Sequence, residues 1–303
     1  MKNYIGVVLM AMFLLPSKSV NAQRKETIRL FYLGGQSNMV GYGYNADLPD
    51  TLKKFKNVWI FDGNPAPDED NHGGLGIWTP LGPGFGTGFS SDGTTNTLSN
   101  RFGLELSFAK KMSELYPNEK IALIKYSRGG TSIDSLGARE FGSWDVDYKG
   151  TNGINQYDHF LSTVKNAMGV KDIDNNGVED ILIPSGILWM QGESDGSFSE
   201  EMANGYYGNL KRLMGLVRAA FRNDNIPIVI GKISDSYHNQ GNKVWEFGEL
   251  VQYAQEKFVK TDKKAAIVRS TQYYGYSDMY HYDSAGYIDL GERFAQEIFT
   301  LNK

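Results

Sequence analysis

The sequence predicts an α/β fold, a three-layer, doubly wound sandwich around a mainly parallel central sheet. Short apolar runs rich in branched and aromatic residues alternate along the chain with stretches of helical period. The runs read as buried strands, and glycine-rich or polar turns punctuate their ends. In sheets of this kind the ligand crevice forms at the carboxyl ends of the strands.

Taken in order, Ile28-Arg29-Leu30-Phe31-Tyr32-Leu33 predicts the first strand, over 28–33, and a second is expected over 58–61. A helix over 102–115 leads to the strand Ile121-Ala122-Leu123-Ile124-Lys125-Tyr126. A helix over 156–168 precedes a strand over 185–190, which contains Ile187-Leu188-Trp189-Met190. The remaining pattern gives a helix over 199–221, a strand over 226–233, a helix over 244–260, a strand over 265–270 and a terminal helix over 284–300.

Three stretches fall outside this alternation. Residues 62–100 carry nine glycines together with Trp78, Phe85 and Phe89; residues 137–155 carry Trp144 and Tyr148. Loops this long in a compact domain are usually functional or mobile. Each reads either as an aromatic wall of a substrate cleft or as a solvent-exposed excursion. The third stretch, Asp172 to Asp180, begins like a calcium loop, with oxygen-bearing residues at alternate positions and Gly177 at the sixth. Ile183 stands where the twelfth-position glutamate belongs, so the sequence favours a polar turn and predicts no metal.

Composition narrows the function classes. The 31 basic and 35 acidic residues leave a formal charge of −4, with no basic excess to suggest nucleic acid. No cysteine occurs, which excludes a disulfide framework and thiol chemistry. Residues 1–22 read as a signal peptide: Lys2, an apolar stretch from Ile5 to Leu15 too short to span a bilayer, and Val20-Asn21-Ala22 before a cleavage point. The expectation is an exported, periplasmic or extracellular protein without a membrane span, whose residues 23–303 form one domain. About 280 residues suffice for a sizeable core.

The chemistry concentrates at strand ends. Gly34-Gly35-Gln36-Ser37-Asn38 follows the first strand, a turn that lifts a serine hydroxyl off the sheet beside free backbone amides. Near the other end, Asp278-Met279-Tyr280-His281 sets an acid three residues before a histidine. A serine needs a base that titrates near neutrality, and that base needs an acceptor on its other ring nitrogen. The chain has four histidines: His72 in a glycine-rich loop, His159 in a helical stretch, His238 in a polar loop, and His281. Ser127-Arg128-Gly129-Gly130-Thr131 and Gln191-Gly192-Glu193-Ser194-Asp195 follow two further strands. A glycine amide from the first, the Gln191 side chain from the second and the Ser37 amide would make three donors for an oxyanion.

Together the blocks Gly-Gln-Ser-Asn-Met, Arg-Gly-Gly-Thr, Trp-Met-Gln-Gly-Glu-Ser-Asp and Asp-x-x-His closely resemble the SGNH hydrolase superfamily. Within it, the chain is similar to the sialate O-acetylesterase and acetylxylan esterase branch, carbohydrate esterase family six, over roughly residues 28–300. The resemblance implies a flavodoxin-like fold and a secreted serine esterase, with Ser37 as nucleophile, His281 as base and Asp278 as its orienting acid. It implies Ser37, Gly129 and Gln191 as the oxyanion hole, Gln191 standing where the wider superfamily commonly has asparagine. Gly130 is left as an alternative donor, and Glu193 is read either as a support for the site or as a cap for the next helix. The implied substrate is an acetylated carbohydrate, acetylated sialic acid or acetylated xylan, and no cofactor is implied. Arg128 or Arg139 would suit the carboxylate of a sialic acid. A lipase or thioesterase on the same fold, for which no long apolar lid segment is visible, and a non-catalytic carbohydrate-binding protein are the rival readings.

Overall fold

The computed structural model describes residues 25–303, so the expected signal peptide and its cleavage after Ala22 lie outside the described residues. The chain begins with β1 (Lys25–Gly35), α1 (Ser37–Val40), β2 (Gly43–Tyr44), β3 (Val58–Asp62), β4 (Trp78–Pro80), β5 (Ser90–Ser91), β6 (Asn96–Thr97) and β7 (Arg101–Phe102). It continues with α2 (Glu105–Leu115), β8 (Lys120–Ser127), α3 (Gln156–Gly169), β9 (Glu179–Met190), α4 (Asp195–Phe198) and α5 (Glu200–Ala220). The last elements are β10 (Ile228–Gly231), α6 (Gly248–Thr261), β11 (Ala265–Val268) and α7 (Ser284–Leu301).

Seven strands form the central sheet in the order β11-β10-β9-β1-β8-β3-β4. All neighbours are parallel except the edge pair β3–β4. The chain winds outward from β1 through β3 and back to β8, then crosses β1 to build the other half through β9, β10 and β11. The motif-bearing strands therefore end at one edge of the sheet.

Strand β1 shows why the run of residues behaves as it does. Ile28 and Leu30 to Leu33 are all at most 1 % exposed, because both faces of the sheet are covered. Alternate side chains serve opposite layers: Phe31 meets Phe108 of α2 edge-on at 5.1 Å, and Tyr32 meets Phe160 of α3 at 4.8 Å. Burying each such side chain contributes about 1.5–3 kcal/mol. Helices α2 and α7 lie against each other on one face, and α5 packs against α6 on the other.

The long insertions divide differently from either sequence reading. Trp78 sits in β4, pairs with the edge of the sheet, and donates its Nε1–H to the Ala167 carbonyl at 2.9 Å. Trp144 is buried, donates to the Thr131 hydroxyl at 3.1 Å and packs edge-on against Trp189 at 5.0 Å. These indoles are scaffold. Of the aromatics in these two insertions, Phe85, Phe89 and Phe141 reach the crevice.

Candidate active site

The turn after β1 positions Ser37. Gly35 has φ +146°, and a Cβ there would come within 2.0 Å of the Met190 carbonyl oxygen on β9. Only glycine lets the strand pass this close and reverse. The Gln36 amide then donates to that same carbonyl at 2.9 Å, and Ser37 opens the helical turn α1 with 7 % exposure.

Ser37, Gly129 and His281 line one cavity of about 700 Å³ at the carboxyl ends of the strands. Gly129 abuts the Ser37 turn: a Cβ built on it would lie 3.3 Å from the Ser37 Cβ. Gly130 faces the Phe141 ring instead and has φ +77°. Among the described residues neither the Ser37 nor the Gly129 amide donates to a protein acceptor.

His281 is the one histidine of the four that lines the cavity. Its Nδ1 lies 2.7 Å from Asp278 Oδ2, while Asp278 Oδ1 accepts the amides of Tyr280 at 2.7 Å and His281 at 2.8 Å. The tight turn thus holds carboxylate and ring together. Burial raises the Asp278 carboxyl, but the His281 ring and the two amides outweigh it and leave the pKa lowered. For His281, burial dominates and depresses the pKa, Asp278 opposes it, and the Arg101 charge adds to the depression. Tyr42 covers one face of the imidazole, its ring stacked at 3.5 Å and 5°.

Asn38 joins the two ends of the chain. Its Nδ2 donates to Glu193 Oε1 at 2.8 Å and to the Tyr280 carbonyl at 3.2 Å. Its Oδ1 accepts from the Tyr282 amide at 3.3 Å and the Tyr287 hydroxyl at 2.8 Å. The residue after Ser37 therefore fixes the loop that carries His281, a role the sequence offered only as part of a motif. Glu193 is fully buried on Asn38, and burial raises its pKa. It does not cap α5, whose N-cap is Ser199, accepting the Met202 amide at 3.2 Å.

Gln191 departs from its expected place. It is fully buried and does not line the cavity. Its Nε2 donates inward to Asp195 Oδ2 at 2.6 Å and to Gln36 Oε1 and the Thr131 carbonyl at 3.2 Å each, while its Oε1 accepts from Tyr206. Both amide hydrogens are spent on the scaffold. Gln36 Oε1 also accepts the amides of Gly192 and Ser194, so the turn after β9 is bolted to the Ser37 turn. Asp195, pushed up to about 7 by burial, accepts the amides of Ile133 and Asp134 and so ties in the Gly129 loop.

The cavity walls carry charge that the triad motifs did not reveal. Lys125 is 1 % exposed, donates to the carbonyls of Val40 and Phe85, and pairs with Glu105 at 3.1 Å. Asp62, 3.9 Å from Lys125, is pushed up to about 8 by burial. Arg128 donates its Nε–H to the Phe141 carbonyl at 2.9 Å, and Arg139 lies over the Phe198 ring at 3.8 Å. Lys125 and Asp62, buried near strand ends, leave no periodic trace in a sequence.

A serine, a histidine and a glycine loop thus converge on a crevice at the carboxyl edge of the mainly parallel sheet of a three-layer α/β sandwich, the place where such folds take ligands. A family model described as carbohydrate esterase, sialic acid-specific acetylesterase, matches residues 27–300. The chain belongs to that family and is accordingly a carboxylic ester hydrolase of O-acetylated carbohydrate. Among solved structures, a protein from Arabidopsis thaliana superimposes with a TM-score of 0.60 at 20 % identity, covering 90 % of this chain and 98 % of that one. A carbohydrate acetylesterase from Xanthomonas citri gives 0.56 at 16 % identity over 90 % of this chain and 56 % of its own. The protein NanS gives 0.55 at 15 % identity over 91 % and 97 %. At these identities the likeness concerns the fold. No curated protein matches the chain. Among the described residues no helix is long and apolar enough to cross a membrane.

Proposed function

We propose that residues 23–303 form one exported serine esterase domain that removes O-acetyl groups from carbohydrate through an acetyl-enzyme on Ser37. The observation that carries this reading is the convergence of Ser37, His281 and Gly129 on one cavity, with Asp278 on His281 Nδ1 at 2.7 Å. In this reading Ser37 Oγ attacks the acetyl carbon while His281 Nε2 takes its proton. Asp278 keeps the Nδ1–H tautomer and stabilises the imidazolium. The Ser37 and Gly129 amides hold the oxyanion of the tetrahedral intermediate. Collapse breaks the ester bond, and His281 returns the proton to the departing sugar oxygen. Water, deprotonated by His281, then releases acetate. Gln191 and Glu193 act behind the site, bracing the turns that present the donors and the base.

The presence of Arg128 and Arg139 on the cavity wall favours a substrate that carries a carboxylate, as sialic acid does, over neutral xylan. Export rests on the sequence of residues 1–22. Acid quenching during turnover, followed by peptide mass spectrometry, should find acetyl on the Ser37 peptide and none in Ser37→Ala. Acetate release from O-acetylated sialic acid should exceed that from acetylated xylan. A labelled residue other than Ser37 would overturn the nucleophile, and equal or reversed rates would overturn the substrate.

A further inference from the structure

The loop Asp172–Asp180 enters β9 at the end opposite the cavity, and folding supplies what its sequence lacked. One carboxylate oxygen from each of Asp172, Asp174 and Asp180 lies within 4.8 Å of the others. Asp180 is only 6 % exposed; its Oδ2 accepts the Ile173 amide at 2.7 Å, and its Oδ1 is buried without a donor among the described residues. The nearby ammonium, Lys120, is already divided between Glu26 and Asp174, at 2.5 Å each. Asp172 accepts the amides of Asn176 and Gly177, and Asp174 Oδ1 also accepts that of Asn176. Three carboxylates thus converge beside one ammonium, which Asp174 shares with Glu26, and Asp180 within the cluster keeps a buried acceptor without a donor among the described residues. Unpaired buried acceptors are costly and close like charges repel, so the cluster calls for a further cation.

We propose that Asp172, Asp174 and Asp180 bind a calcium ion. Carboxylate oxygens at irregular spacing suit calcium, which accepts six to eight oxygen ligands in flexible geometry and completes its shell with carbonyls and water. Magnesium demands a near-ideal octahedron and gives up its waters reluctantly. Ile183 at the twelfth position removes the usual bidentate ligand, which places the affinity at the weak end, about 0.1–1 mM. The ion ties the loop to the start of β9 and, through the pairing of Glu26 with Asp180, to β1. Its role is structural, and it stands or falls independently of the esterase mechanism.

The test uses the full chain after exhaustive chelation. Calorimetric titration with calcium chloride should show one ion per chain at that affinity. Thermal unfolding at about ten times the dissociation constant should shift upward by roughly 2–4 °C, with a smaller shift for magnesium. Asp180→Asn should bind no ion and melt alike in calcium and in chelator. Asp172→Asn, in the loop and outside the sheet, gives the same reading should Asp180→Asn fail to fold. Absence of heat and of any melting shift at about 10 mM calcium, ten times the weakest expected constant, overturns the proposal. So does binding that survives in either variant.

Discussion

Two histidine–aspartate pairs in this protein have the same Nδ1···Oδ separation of 2.7 Å, His281–Asp278 and His72–Asp70. The side chain of His281 is 11 % exposed, that of His72 71 %. His281 is roofed by Tyr42 and shares a cavity with Ser37, whereas His72 lies in the glycine-rich insertion, its amide also folded back on Asp70. The hydrogen bond is therefore common to both. What differs is desolvation and the presence of a serine hydroxyl in the same cavity. A pair in water neither holds a fixed orientation nor faces a substrate.

The largest effects should come from breaking the buried pair. Ser37→Ala and His281→Ala should each cost roughly a ten-thousandfold or more in kcat for acetyl-ester hydrolysis, members of one unit losing nearly the whole effect singly. Melting temperatures should stay near wild type, and His72→Ala should leave kcat unchanged. Steady-state kinetics on the three variants would refute the contrast if His72→Ala fell with the others.

Asp278→Asn comes next, at roughly a thousandfold or more, since the amide permits the wrong imidazole tautomer. Asp70→Asn is the matched control and should be silent. A mild Asp278 variant would mean that the tight turn alone orients the ring.

Gln191→Ala sharpens the distinction between chemistry and bracing. With its amide spent on Asp195, Gln36 and Thr131, its loss strands buried partners and should cost about 1–3 kcal/mol of stability. The rate per folded molecule should fall far less than in Ser37→Ala. Denaturant unfolding and active-site titration on one preparation decide this; a hundredfold rate loss at unchanged stability would return Gln191 to the oxyanion.

The smallest effect is in pH. In the proposed mechanism the base must be neutral to take the Ser37 proton, and His281 is depressed below its ordinary value of 6.5 by burial, with Arg101 contributing. Because deprotonation occurs at lower pH, the acid limb of kcat/KM should have its midpoint below about 6.5. Arg101→Gln removes a positive charge and should move that midpoint upward by a few tenths of a unit. A downward movement would contradict the electrostatic assignment.

The sheet strands that carry the motifs were legible because continuous apolar runs such as Ile28–Leu33 have no comfortable place except between two helical layers. The five long helices were legible through their period. The edge strand β4 was not, since its three residues carry no period and exist only by pairing with β3. That Ser37, Gly129 and His281 share one cavity was legible in the sequence, since each lies in a short block whose local backbone demands, such as glycine at position 35, are written in neighbouring residues. The sequence alone likewise determined the charge balance and the lack of cysteine chemistry. Only the tertiary structure decided that Gln191 turns inward, that Asn38 fastens Glu193 to the His281 loop, and that Asp62 and Lys125 floor the cavity. These outcomes depend on which buried groups meet across 60 to 240 residues of chain. A buried donor takes whichever acceptors the packing brings within reach. That geometry belongs to the folded chain as a whole, and no local stretch encodes it.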